Sequence, residues 1–157
     1  MTLHPSESPT NLVIAMKISF LKLDPELPTP RHSHPGDGGV DLYARIDFEL
    51  VPRERQMIPT GVAIAIPDGY AGLVVPRSGL AARHGFGVVN SPGLIDSGYR
   101  GEVQVILINH GDETVSMTRG ERIAQLVVIP VADQQWIAVE DLPGTVRGEG
   151  GFGSTGR

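Results

Sequence analysis

Short apolar runs, cut by turn signals at roughly ten-residue intervals, govern what this chain can fold into. Pro67-Asp68-Gly69, Ser91-Pro92-Gly93 and His110-Gly111-Asp112 each separate two such runs. Glycine and proline, 20 and 13 of 157 residues, leave little room for long helices. Inside the runs two patterns recur. Ile46–Leu50, Lys17–Phe20 and the start of Glu102–Leu107 alternate apolar with polar, as strands with one wet face do. Gly61–Ile66, Gly72–Val75 and Ile123–Ile129 are almost continuously apolar, which suits strands buried on both faces. The pattern predicts a single all-β domain, sandwich or barrel. Aromatics make up 5% of the chain, so the core must be aliphatic.

Pro76–Gly85 breaks the pattern and reads as a short helix. Ser78 is a good N-cap, Arg83 and His84 fall in the last turn, and Gly85 is a natural stop. A helix this short is marginal alone and needs a reason to exist.

A net charge of −5 argues against a nucleic-acid backbone as partner, though local cations can still hold a small polyanion. With no cysteine, disulfides and thiolate metal sites are excluded. No run approaches the roughly 20 apolar residues of a membrane span, and residues 1–15 lack a signal-peptide pattern. The expectation is a cytoplasmic protein with no membrane partner. Residues 1–15 read as a disordered extension, residues 16–143 as the domain, and residues 144–157 as a Gly-rich C-terminal arm.

Five stretches carry possible chemistry. Arg77-Ser78-Gly79 at the helix start makes a phosphate cradle of N–H groups, a hydroxyl and a cation, or else a plain connector with Ser78 as cap. In Asn90–Gly101, Asp96 and Tyr99 lie between Ser-Pro-Gly and Gly. There a hairpin can read a planar base and a carboxylate can hold a water, or Asp96 merely bonds its own turn. Asp41, on the apolar strand start of Gly36–Ala44, needs a cation: an arginine or Mg²⁺, in a site or a simple ion pair. Gln125 is an amide inside an apolar strand, to be satisfied by protein or by ligand. The last stretch, Arg147 to Gly156, sets Phe152 among glycines, as a loose end or as a flap that lays a ring on a flat ligand.

Taken in order, Gly36–Ala44, Pro76–Ala81, Gly93–Gly101, Gly120–Gln125 and Arg147–Gly156 resemble the five motifs of the homotrimeric dUTPases, over residues 17–157. The resemblance implies a jelly-roll-like (β-clip) fold with one short helix, assembled as a homotrimer whose active sites draw on three chains. It implies hydrolysis of dUTP to dUMP and pyrophosphate by water attack on the α-phosphorus, which keeps uracil out of DNA and supplies dUMP for dTMP synthesis. Asp96 would hold the attacking water. Tyr99 would pack on the sugar and exclude a 2′-OH. Asn90 and the backbone of Gly93, Leu94 and Ile95 would read uracil. Arg77, Ser78, Gly79 and Gln125 would contact phosphates. Arg147, Phe152, Gly153, Ser154 and Thr155 would form the closing arm, with Phe152 over the base. Mg²⁺ would sit on the triphosphate and water, with Asp41 acting through a water. Where the second motif often has two serines, Gly79 replaces the second. Two rivals remain: a dCTP deaminase of the same fold, and a non-catalytic nucleotide-binding member. The motif Ile95–Gly101 and the Gly-Phe-Gly arm fit the first less well, and retention of Asp96, Arg77 and Arg147 argues against the second.

Overall fold

A computed structural model describes residues 16–146 and Gly148. The elements run β1 (Ser19–Lys22), β2 (Val40–Tyr43), β3 (Phe48–Leu50), β4 (Arg55–Ala65), β5 (Tyr70–Val75), α1 (Ser78–His84), β6 (Phe86–Val88), β7 (Gly93–Ile95), β8 (Glu102–Asn109), β9 (Val115–Met117) and β10 (Arg122–Pro130). They form two four-stranded sheets, ordered β1-β4-β8-β6 and β2-β10-β5-β7, and a ribbon β3-β9. Every strand pair is antiparallel. The fold is all-β and jelly-roll-like, with one short helix among the described residues.

Alternation accounts for the core. Along β8, Val103, Val105, Leu107 and Asn109 are buried while Gln104 is exposed. They meet Ile58, Val62 and Ile64 from the same sheet and Leu42, Val74, Ala124 and Leu126 from the facing one. The buried polar member, Asn109, is fully bonded: its Nδ2 donates to the carbonyls of Leu50 (2.9 Å) and Glu113 (2.8 Å), and its Oδ1 accepts from Gly111 N (2.9 Å). A buried amide left unpaired would cost on the order of 1–3 kcal/mol.

The helix lies where predicted, with one correction. Its N-cap is Arg77, and no side chain caps it; Ser78 is already helical, so its hydroxyl is not spent on the helix end. Leu80 is buried and pins the short helix to the core, worth roughly 1.5–3 kcal/mol. Gly85 ends it at φ 66°, and a Cβ there would press on Gly111 N at 2.7 Å. Glycine alone meets both demands.

Two other expectations change. Along β5 and β10, Ala71, Gly72, Val74, Ala124 and Leu126 are buried, but Leu73, Val75, Gln125 and Val127 are half-exposed. Continuous apolarity there marks a sheet whose outer face is also apolar. Trp136 sits in Gln134–Ala138, a run whose strand-like pattern predicts packing, yet it is 91% exposed and lies beyond the last strand.

Candidate active site

The outer face of the second sheet positions the first group. In antiparallel register Asp41 lies opposite Gln125, which lies opposite Val75, so all three share one face. Two residues beyond Val75, Arg77 turns back: its Nε donates to Asp41 Oδ1 at 2.9 Å. Arg122 Nη1 and Ser33 Oγ donate to Oδ2 at 3.3 and 3.4 Å. Asp41 is 6% exposed, and this is the pairing its burial requires. Of the cations open to it in the sequence, the structure supplies two arginines. The Gln125 amide is half-buried and makes no hydrogen bond among the described residues.

Of these, Arg77, Arg122 and Ser33 border a basin of about 840 Å³. Arg31, Arg77, Arg83 and Arg122 line it with His32, His34, Tyr43 and Glu121. The Glu121 carboxylate is turned to Thr118, accepting from its hydroxyl at 3.1 Å, so the basin is strongly cationic. Arg31, His32, His34 and Arg83 were not singled out from sequence. For Arg83 a signal exists: it is four residues after Gly79 on the helix, and its guanidinium lies 3.5–3.8 Å from where a Cβ on Gly79 would be.

The second group occupies another cleft, of about 420 Å³. Asn90, Leu94, Ile95, Asp96 and Tyr99 line it, together with Met57, Val103, Gln104 and Ile106. The last four come from β4 and β8, and the outward positions of the β8 alternation would have revealed Gln104. Gly93 is buried beneath Asn90: a Cβ there would approach Asn90 Nδ2 at 3.2 Å and Val74 Cβ at 3.4 Å. Tyr99 N donates to Asp96 O at 3.1 Å, closing the turn through the backbone. The Asp96 carboxylate is exposed and unbonded among the described residues, so it does not serve its own turn.

No residue lines both spaces. One chain therefore brings Asp96, Tyr99 and Asn90 together, and Arg77, Gln125 and Asp41 together, as two separate surfaces. Ser78 and Gly79 lie at the helix start beside the basin. Arg147, Phe152, Gly153, Ser154 and Thr155 lie outside the described residues. Among the described residues no three His, Cys, Asp or Glu side chains form a metal-binding group.

The described residues thus form a small all-β domain with a cationic basin and a separate hairpin cleft. The dUTPase family profile matches residues 26–156, and the chain belongs to the dUTPase family. A deoxyuridine 5'-triphosphate nucleotidohydrolase of Thermobifida fusca is 54% identical over 142 residues, covering 90% of this chain and 79% of that protein. One of Cutibacterium acnes is 58% identical over 128 residues, covering 81% and 84%. The Staphylococcus bacteriophage 80alpha dUTPase with dUPNHPP superposes with a TM-score of 0.84 at 29% identity, covering 91% of this chain and all of that one. A mutant dUTPase of S. aureus phage phi11, described with a structural Mg(II) ion, gives 0.74 at 26% identity, covering 80% and 98%.

Proposed function

We propose that the protein hydrolyses dUTP to dUMP and pyrophosphate, with the base and sugar in the hairpin cleft and the phosphates in the cationic basin. The observation that carries this is the unspent Asp96 carboxylate in one cleft with Asn90 and Tyr99. Asp96 accepts a proton from a water whose oxygen attacks the α-phosphorus. The bond to the bridging oxygen breaks, and pyrophosphate leaves with the electron pair. Phosphoryl chemistry of this kind needs chiefly position and neutralised charge. Arg77 supplies charge, and Ser78, Gly79 and Gln125 supply uncommitted donors.

Mg²⁺, when bound to the triphosphate, neutralises charge on its oxygens. The residues fit an indirect hold only. Asp41 already accepts three hydrogen bonds, and a carboxylate accepts about four, so one position remains for a metal-bound water. Mg²⁺ keeps waters and borrows substrate oxygens, so it needs no cluster of protein carboxylates.

Because the two surfaces share no residue, we assign each complete site to neighbouring copies in a homotrimer, with Arg147 and Phe152–Thr155 as the closing arm. Support comes from apolar side chains left uncovered after Pro130: Trp136, Ile137 and Leu142 are 91, 79 and 85% exposed. The setting proposed is the cytoplasm.

The test is product identification. Purified protein with Mg²⁺ should release dUMP and pyrophosphate from dUTP and leave dTTP, UTP and dCTP nearly untouched. Deamination of dCTP without dUTP hydrolysis would overturn the reading.

A further inference from the structure

We propose that Glu102, which lies outside the reacting groups, is a positioning residue that sets sugar selectivity by holding the Tyr99 ring. The inference rests on the reading of Tyr99 as the residue that packs on the sugar. Tyr99 is 46% exposed, so packing alone leaves its ring free to swing. Its hydroxyl donates to the Glu102 carbonyl at 3.0 Å, which bends the side chain back over the turn. Gly101 lies beneath, and a Cβ there would collide with the Tyr99 hydroxyl and ring. The ring's position is therefore only as fixed as the backbone at 102.

That backbone is tied down by the Glu102 side chain. The register of β4 and β8 shifts between Pro59 and Ala63, so the ladder does not pair Gly61. The Glu102 carboxylate fills the gap, accepting from Gly61 N at 2.7 Å. Arg45 Nη1 donates to the same carboxylate at 3.3–3.4 Å. Arg45 is itself held, its N donating to Pro59 O at 2.9 Å and its Nη2 to Leu23 O at 3.3 Å. The Glu102 side chain is 17% exposed, so these are not loose surface contacts. Gly61 can accept no substitute, because its φ is +72° and a Cβ would meet Leu27 at 2.7 Å. A bond made to repair a strand irregularity thus also fixes the carbonyl that anchors Tyr99. Small displacements of a positioning group cost heavily in a site of this kind.

The plainer reading is that Glu102 merely stitches β4 to β8. The two differ in what changes when it is removed. Glu102→Ala should lower the ratio of kcat/KM for dUTP over UTP by roughly tenfold, more than it lowers kcat for dUTP. Glu102→Gln keeps an acceptor for Gly61 N and should hold the ratio within about threefold. Should the alanine variant fail to fold, Glu102→Asp, one methylene short of Gly61 N, should show the same loss in smaller measure. A second readout does not depend on activity. The chain has three tyrosines, so 3-fluorotyrosine protein gives three ¹⁹F signals, of which Tyr99→Phe assigns one. That signal should move toward free fluorotyrosine in Glu102→Ala and stay in Glu102→Gln. An unchanged substrate ratio, or an unmoved signal, in a folded Glu102→Ala or Glu102→Asp protein overturns the proposal. A wild-type protein inactive on dUTP would instead overturn the functional reading, with the ¹⁹F result still deciding whether Glu102 holds the ring.

Discussion

Gln125 lies directly across the β-ladder from Asp41, and Asp41 holds Arg77 at 2.9 Å. Asp41 also takes Arg122, so two guanidinium groups from segments far apart in sequence line one basin, with the Gln125 amide beside Asp41 on the neighbouring strand. Asp41 is the hub, and its own charge is spent on aiming its neighbours. Asp41→Ala should therefore cost stability as well as binding. Breaking a buried pair costs roughly 3–5 kcal/mol. Arg122 is 48% exposed and can rehydrate, so the loss should fall near about 3 kcal/mol in urea unfolding, with a raised KM for dUTP. A variant of wild-type stability would remove Asp41 from this role.

Gln125→Leu is close to isosteric and disturbs no hydrogen bond among the described residues. It should leave the melting temperature unchanged and raise KM for dUTP by roughly tenfold, the worth of one hydrogen bond to a charged group. Steady-state kinetics with a thermal scan separates this from a folding defect. An unaltered KM would mean that the amide meets no phosphate.

Asp96→Asn should lower kcat by roughly 10²–10⁴, the usual worth of general-base help, while dUTP still binds. Calorimetric titration alongside the turnover assay distinguishes the two effects. A loss under about tenfold would take the water-activating role away from Asp96.

Arg119, which lines neither cleft, donates to Asp24 at 2.8–3.2 Å and also to Glu26. The Arg119 hydrogen bond holds the Asp24 carboxyl below the ordinary aspartate range, against a smaller opposing effect of burial. A carboxyl lowered in the folded state stabilises at pH above its unfolded value, and that stabilisation fades as pH falls through the folded one. Arg119→Met should melt earlier than wild type at pH 7, and the gap should close as pH drops from about 4 downward. A gap constant with pH would show that the ion pair is not its source.

Trp136 is the single tryptophan and is 91% exposed on the isolated chain. In an assembled trimer it should be shielded from acrylamide quenching and become quenchable on dissociation. Full quenching of a species that sediments as a trimer would put this segment outside the interface.

Much of the fold was legible because it obeys local rules. Alternation located β3 and β8, and Gly85 ended α1 where it had to. The order of five short stretches pointed to Arg77, which lines the basin, and to Asn90, Asp96 and Tyr99, which line the hairpin cleft. What stayed hidden was long-range. That Asp41 takes arginines from positions 36 and 81 residues away depends on sheet register, which no local pattern encodes. The half-exposed outer face of β5 and β10 was misread as core, because an apolar strand looks alike whether its second face meets its own chain or something beyond it. Ser78 was read as a cap because its type favours that place, yet Arg77 holds it. The gap at Gly61 that recruits Glu102 is a strand irregularity, and it surfaces only once β4 and β8 are paired.

The division of the site into two surfaces without a shared residue has a genetic consequence. A chain lacking Asp96 keeps its basin, and a chain lacking Arg77 keeps its hairpin cleft. Where a site joins surfaces of different copies, two inactive alleles expressed together would build some assemblies holding an intact pair. Intragenic complementation between Asp96→Asn and Arg77→Ala, absent from either alone, is what this arrangement foretells. Its failure at every mixing ratio would return both surfaces to a single chain.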